Sequence, residues 1–475
     1  MTELPRGWEE VLLGHLALII RGVTYKKHEA LTDPAEGYVP LIRATNIGRS
    51  LDFDDLYFVP AARVSDDRRL RRGDVVVASS SGSASVVGKS AQLKSDWSGT
   101  FGGFCAAVRP NRQLSASYLG LFLQSDDLRR RWSNLARGSN INNLRVEHLA
   151  DTPVPFPPAA EQERIVVAIE EAFSKLDAGE AGLRAVHQLL KRMRAAVLAA
   201  AVTGRLVPQD PTDTPAAKLL ADLRVEPIDL AEPALPHGWA WATIESISAP
   251  QRNALAIGPF GSNLKVVDYA SEGVPLVFVR NIRRCEFRAG RRFVSQTKAN
   301  ELTSHWVRRG DVLVTKMGDP PGDTAVYPEQ EAAIITADCI KVTCGSAVVP
   351  EYLAQAIAGG ETRRRLLEVT RGVAQKKVSL ARFKVLPVAI PPIQEQQRIV
   401  AEVDRQFSFL AAGERAVEAG IVRSAALRRS VLKSAFEGNL VPQDPSDEPA
   451  SVLLERIRGE RAAAPTPARR TRRSA

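Results

Sequence analysis

Glu161-Gln-Glu-Arg-Ile-Val166 returns as Glu395-Gln-Gln-Arg-Ile-Val400, an offset of 395 − 161 = 234 residues. The same offset carries Pro157-Pro158 onto Pro391-Pro392, and Leu206-Val-Pro-Gln-Asp-Pro211 onto Leu440-Val-Pro-Gln-Asp-Pro445. The match runs without a gap from Gly138–Arg224 to Gly372–Arg458. Upstream of Gly138 only punctuation is shared: Leu4-Pro-Arg-Gly-Trp8 with Leu235-Pro-His-Gly-Trp239, Val39-Pro-Leu41 with Val274-Pro-Leu276, and Arg72-Gly-Asp-Val75 with Arg309-Gly-Asp-Val312. Solenoid units repeat at about 20–50 residues, so a period this long is a whole-domain duplication. Half of each copy is held similar and half diverges, which suits a fixed frame carrying two recognition surfaces.

From the proline pairs outward, each copy has the same order. Residues 1–158 read as short strands separated by Gly and Ser turns, with strand-like Val75-Val-Val77 and Phe104–Val108 and one helix over Ala116–Leu135. A long helix follows over 159–204, because proline is compatible with a first helical turn and Gly204 stops the periodic run. Its apolar seam is expected at Ile165, Ile169, Ala172, Leu176, Gly179, Leu183, Val186, Leu190, Met193, Val197 and Ala200. At about 1.5 Å per residue that seam is roughly 54 Å long. Residues 205–234 read as a linker with one short helix, and 235–392 as a second mixed domain. A second long helix spans 393–437, with a weaker stripe (Ile399, Val403, Gln406, Leu410, Gly413, Val417, Gly420, Ser424, Leu427, Val431, Ser434). Residues 438–475 form a linker and a basic tail. The expected fold is α+β: two mixed domains and two long antiparallel helices packed as a coiled-coil-like spacer, since neither helix buries its stripe alone. The duplication makes it a pseudo-twofold internal repeat.

Composition narrows the class. The chain has 475 residues, 44% hydrophobic and 25% charged, ordinary for globular domains, and a formal net charge of +10 that favours a polyanionic partner. Four cysteines without zinc-like spacing fit a reducing cytosol, and no signal pattern or run of roughly 18 apolar residues is present. A cytoplasmic protein is expected, with no membrane, metal or cofactor.

These motifs resemble the specificity (S) subunits of type I restriction-modification systems. The proline pair with Glu-Gln and Arg-Ile-Val, the phrase Leu-Val-Pro-Gln-Asp-Pro and Asp447-Glu-Pro-Ala-Ser-Val-Leu-Leu454 look like that family's helical regions. Gly258-Pro-Phe-Gly-Ser262, Arg280-Asn-Ile282, Arg309-Gly-Asp311 and the Gly372 segment look like its target-recognition domains. The resemblance implies a non-catalytic, sequence-specific DNA-binding subunit, each recognition domain reading one half of a bipartite, asymmetric double-stranded target. It also implies that the helices hold two methyltransferase subunits and that motor-nuclease subunits join. The assembled complex would then be a DNA adenine methyltransferase and ATP-dependent endonuclease. Alternative readings are a specificity subunit for a fused nuclease-methyltransferase, a coiled-coil scaffold binding proteins, and a self-sufficient methyltransferase.

Base-edge readers are Arg for guanine, Asn and Gln for adenine, and Ser or Thr for either. Two segments at equivalent positions are rich in them: Arg137, Ser139, Asn140, Asn142 and Asn143 in the first copy, and Arg371, Gln375, Lys376 and Lys377 in the second. Beside the Val-Pro-Leu strands stand Arg43 with Asn46, and Arg280 with Asn281. After the Gly-Asp strands come Ser79, Ser81, Ser83 and Lys89, matched by Lys316. The runs Arg129–Arg131 and Arg363–Arg365 are expected on helices as solvated faces or phosphate contacts. Lys191, Arg192 and Arg194, with Arg428 and Arg429, are expected on the outward faces of the long helices. Gly82–Ser90 departs from a phosphate loop by one residue between its glycines, and Gly318-Asp-Pro-Pro-Gly322 lacks the aromatic of an amino-methyltransferase motif. Both read as turns.

Overall fold

The computed structural model describes residues 4–83, 85–136, 142–230, 233–261, 263–371 and 376–463. The chain divides into two compact units, residues 1–183 with 419–475, and residues 184–418. Each unit contains one mixed α/β lobe, part of each long helix, and the short segment that follows one of those helices.

In the first unit Val75–Ala78 is central to an antiparallel sheet ordered Ala17–Arg21, Cys105–Pro110, Val75–Ala78, Ser90–Gln92. Val75 and Val77 face one apolar cluster with Leu119, Leu123 and Trp132, while Val76 and Ala78 face another with Ile42 and Phe101. Burial on both faces explains the unbroken valine run. A second sheet places Tyr38–Ile42 between Tyr57–Pro60 and Thr100–Phe101. The expected single helix over Ala116–Leu135 is two, Ala116–Leu123 and Asp126–Leu135. Ser125 with Asp126 and Asp127 makes a fresh N-terminus, where carboxylates meet exposed amides.

The second unit repeats the plan. Its antiparallel sheet runs Leu255–Ile257, Cys339–Val342, Val312–Thr315, Thr324–Val326. A five-stranded sheet holds Val274–Val277 parallel to Ala333–Ile335.

Each lobe is closed by a short strand pair leading into a long helix: Glu9–Leu12 with Pro153–Phe156, and Ala240–Thr243 with Pro387–Ile390. The proline pairs place Ala159–Ala201 and Ile393–Phe436 directly after these strands. The principal bonds recur at the two junctions, and Gln396 Nε2 adds one to Ala347 O at 3.0 Å. Trp8 Nε1 donates to Glu161 Oε2 at 3.0 Å, and Trp239 Nε1 to Glu395 Oε2 at 3.0 Å. Gln162 Oε1 accepts from the Ser115 amide at 3.2 Å, and Gln396 Oε1 from the Val349 amide at 2.8 Å. Tyr118 and Tyr352 hydroxyls donate to Pro155 O and Ala389 O at 2.8 and 2.7 Å. Arg164 grips Asp447 at 2.6 and 3.3 Å, and Arg398 grips Asp213 at 2.6 and 3.3 Å. The recurring Glu-Gln-x-Arg motif is therefore a joint that fastens lobe, helix and following segment.

The segment after each helix is part of a lobe. Ala216–Asp222 buries Ala216 and Leu220 in the second unit. The stretch read as C-terminal linker carries a helix, Ala450–Ala463, whose Ala450, Leu453, Leu454 and Ile457 join the first unit's core. Its sequence pattern is short and flanked by turn residues, so only the lobe surface reveals its buried face.

Within the first unit the two helices run antiparallel. Asp177 pairs with Arg428 at 2.6 Å, Glu180 accepts from Ser424 Oγ at 2.8 Å, and Leu183 lies against Gly420. Within the second, Leu190 lies against Gly413 and Arg194 pairs with Glu414 at 3.6 Å. The seam differs from expectation in mid-helix. Val186, Met193 and Leu427 are exposed, as is Gly179, while Glu180 is buried and His187, Arg194 and Arg428 are partly covered; Ser424 is buried as expected. Leu176, Leu183, Leu190 and Val197 keep their places and the alternate positions move one residue on. An α-helix drifts about 20° per heptad from a strict 3.5-residue repeat, which rotates the stripe. Arg194 and Arg428 are accordingly not on the outward face: Arg194 stacks over Phe407 at 4.4 Å and Arg428 over Phe173 at 4.9 Å. Lys191, Arg192 and Arg429 are exposed. Among the described residues no helix is long and apolar enough to cross a membrane.

Candidate nucleic-acid interface

In the first unit the chain leaving Val75–Ala78 continues into Ser80–Ser81, which pairs with Asn142–Asn143 in the register Asn142↔Ser81 and Asn143↔Ser80. The Leu144 amide donates to Ser79 O at 2.7 Å, and the Ser79 and Ser80 amides donate to Phe104 O at 2.9 and 3.0 Å. Three loops thus converge, and two of them were separate candidates in the sequence. Ser81 Oγ accepts from the Ser83 amide at 3.2 Å, and Ser83 and Ser85 hydroxyls share a 2.8 Å bond. Asn143 and Ser83 are exposed and Ser79 is buried; Lys89 is half-buried where the loop re-enters the sheet. Ser90 then begins a strand, so no helix follows to make a phosphate loop.

The second unit makes the same convergence with different side chains. The Val378 amide donates to Lys316 O at 3.1 Å, the Lys316 amide to Asp338 O at 2.7 Å, and the Gly318 amide to Lys376 O at 3.2 Å. Arg371 and Lys377 exchange backbone bonds of 3.0 and 2.8 Å. Lys376 and Lys377 point out, Lys376 pairing with Asp319 at 3.0 Å. Lys316 is mostly buried, its ammonium donating to Ala337 O at 3.1 Å and lying 5.0 Å from the Phe260 ring centre. Arg137, Ser139, Asn140 and Gln375 lie outside the described residues.

The Arg-Asn pairs divide by role. Asn46, 2% exposed, accepts from the Arg43 amide at 2.9 Å and donates to Asp55 O at 3.0 Å. Asn281, 6% exposed, accepts from the Phe278 amide at 2.9 Å and donates to Glu286 O at 2.8 Å. Both amides are committed to backbone and cannot offer a bidentate face to a base, so the expectation of base readers is corrected to turn locks. Their neighbours are pre-oriented. Arg43 stacks over Tyr57 at 3.8 Å and pairs with Asp55 at 2.7 Å, whereas exposed Arg280 lies over Phe278 at 4.4 Å.

The paired arginine runs hold one residue each with a role other than the solvated face or phosphate contact expected. Arg129 donates to Ser85 O, and Arg363, at the equivalent position, donates to Pro321 O at 2.7 Å. Burial holds the Arg363 guanidinium below its usual pKa, with Asp323 opposing. Each braces the candidate loop of its own unit, and the shared offset of the two arginine runs was the available signal. Arg130, Arg364 and Arg365 are instead paired with Asp127, Glu361 and Glu368 on their own helices. Among the described residues no group of three His, Cys, Asp or Glu side chains is placed to hold a metal ion.

The family model for the type I restriction modification DNA specificity domain matches residues 5–184 and 322–411, more than half the chain. The StySPI specificity subunit of Salmonella potsdam is 30% identical over 482 residues, covering 97% of this chain and 96% of its own. The chain belongs to the type I specificity-subunit family. The EcoKI specificity subunit of Escherichia coli K12 is 29% identical, with 97% of each covered. Two solved structures share the fold. A chain from a type I R-M system has a TM-score of 0.63 at 18% identity, covering 92% of this chain and 99% of that one. The HsdS subunit of Thermoanaerobacter tengcongensis has a TM-score of 0.50 at 19% identity, with 92% and 98% covered.

Proposed function

We propose that this specificity subunit reads a bipartite, asymmetric DNA target, one half-site per lobe, without an active site of its own. The observation that carries the reading is the contrast inside the repeat. The joints recur in their principal bonds, while the equivalent rims present Ser81, Ser83, Asn142 and Asn143 in one lobe and Arg371, Lys376 and Lys377 in the other. Neutral hydroxyls and amides suit base edges; lysines suit phosphates and guanine. Exposed Arg280, oriented on the Phe278 ring, is a further candidate donor in the second lobe, whereas Arg43 is held by Asp55.

The two long helices act as a coiled-coil-like, pseudo-twofold spacer that sets the distance between half-sites and docks two methyltransferase subunits. Motor-nuclease subunits complete a cytoplasmic complex that methylates adenine and cleaves DNA with ATP. Lobe boundaries near 158 and 392 make the readers exchangeable. Methylome sequencing of cells with and without the gene tests this: one split motif should lose methylation in its absence. Replacing residues 1–158 by another specificity subunit's first lobe should change one half of that motif. A change in both halves, or no gene-dependent motif, would refute the proposal.

A further inference from the structure

Resting on the DNA-reading assignment, we infer that Phe104 and Phe260 each make an apolar contact with a base in the half-site of their own lobe, and so help determine specificity. Isolated exposed apolar side chains are common and carry nothing by exposure alone. These two differ by placement. Phe104 is 69% exposed and its carbonyl holds the Ser79 and Ser80 amides, so its backbone adjoins the strand that pairs with Asn142–Asn143. Phe260 is 62% exposed and its ring meets the Lys316 ammonium, inside the second convergence.

The two rings come from non-equivalent chain positions. Cys105 and Cys339 begin equivalent strands, and the residue before each is Phe104 in one copy and Asp338 in the other. Gly22 and Gly258 make equivalent close approaches, a β-carbon there falling 2.0 Å from Gly102 O or 1.9 Å from Thr336 O. Two residues later stand Thr24 in one copy and Phe260 in the other. In the first lobe these two loops adjoin, since a β-carbon at Gly103 would lie 3.3 Å from Thr24 Oγ1. Two adjoining loop positions are therefore available at the rim, and a phenyl fills one of them in the first copy and the other in the second. Divergence has moved the ring without removing it. A protruding phenyl amid hydroxyls, amides and lysines finds its complement on a base, whose thymine methyl or π-face is the apolar part of otherwise polar DNA.

The test uses the full chain assembled with its methyltransferase subunits, Phe104→Ala and Phe260→Ala, and duplexes carrying the methylome-defined target with each base pair substituted in turn. Each variant is expected to bind the target roughly 5- to 100-fold more weakly. It should lose discrimination at positions within one half-site only, a different half for each variant. Phe104→Leu should retain part of both, and the salt slope should match wild type because no charge is removed. Binding within twofold of wild type, an equal loss on every sequence, or weakened assembly with the methyltransferase subunits would overturn the inference. A wild-type complex without sequence preference would overturn the DNA-reading assignment beneath it, and is distinguished because the control itself then fails.

Discussion

Replacing Arg164 by Met should loosen the C-terminal helix and leave the rest of the protein folded. Arg164 donates twice to Asp447, at 2.6 and 3.3 Å, and the two side chains are 35% and 10% exposed. Asp447 lies just ahead of Ala450–Ala463, whose first amide donates to Gly7 O at 3.1 Å. An exposed ion pair contributes about 0–1 kcal/mol, and breaking a buried one costs about 3–5 kcal/mol. With the guanidinium a third exposed and the carboxylate nearly covered, about 2 kcal/mol is expected. Methionine keeps the stem's packing, so the cost isolates the charge. At about 1.4 kcal/mol per tenfold, amide exchange in Ala450–Ala463 should accelerate roughly 30-fold when local opening governs exchange. Hydrogen–deuterium exchange by mass spectrometry reads this peptide by peptide. Arg398→Met should do the same to Ala216–Asp222, since its pair with Asp213 has the same 2.6 and 3.3 Å geometry. The reasoning fails if either helix changes less than threefold, or if one substitution accelerates both helices equally.

Burial lifts the Glu161 and Glu395 carboxyls above their ordinary value, against the opposing hydrogen bonds from Trp8 and Trp239. Their stability contribution is complete below the unfolded carboxyl pKa and is lost as pH rises through the higher folded value. The Glu161→Gln, Glu395→Gln double variant should therefore show a shallower decline in unfolding free energy across that window, read by denaturant titrations at stepped pH; a wild-type slope would count against it. Arg428→Ala removes the partner of Asp177 in the helix pair beside the nearly buried Glu180, and should cost about 2 kcal/mol in the same titrations. Gly22→Ala drives a β-carbon to 2.0 Å from Gly102 O and should cost about 3 kcal/mol, with discrimination reduced only in the first lobe's half-site. Lys377→Ala should weaken binding to all sequences and lower the salt slope by about 1, whereas Asn143→Ala should relax one base position at a cost of about 1–3 kcal/mol; affinity measured against salt and sequence separates them.

Reading the chain alone reached the recurrence of the joint residues but not the bonds they make. Glu161, Gln162 and Arg164 recur with Asp447 and Asp213 at one offset, and each recurrence turned out to be a bond made twice. The paired candidate loops were legible for the same reason, although their convergence was not. Ser79–Ser83 and Asn142–Asn143 are some sixty residues apart, and nothing local says that they pair. Asn46 and Asn281 looked like readers because Asn types suit adenine; their burial follows from carbonyls supplied by Asp55 and Glu286, which residue type does not encode.

What the sequence determined by itself was the repeat: two lobes of one plan, two long helices starting at proline pairs, and a family membership carried by those junctions. These depend on interactions within a few residues, or on identity at a constant spacing. Only the tertiary structure decided which helix face is buried around Glu180 and Arg194, that the final helix completes the first lobe, and which polar side chains remain free at the rims. Each of those outcomes is set by what a distant segment places opposite, because burial and hydrogen-bond satisfaction belong to pairs of surfaces and not to single residues.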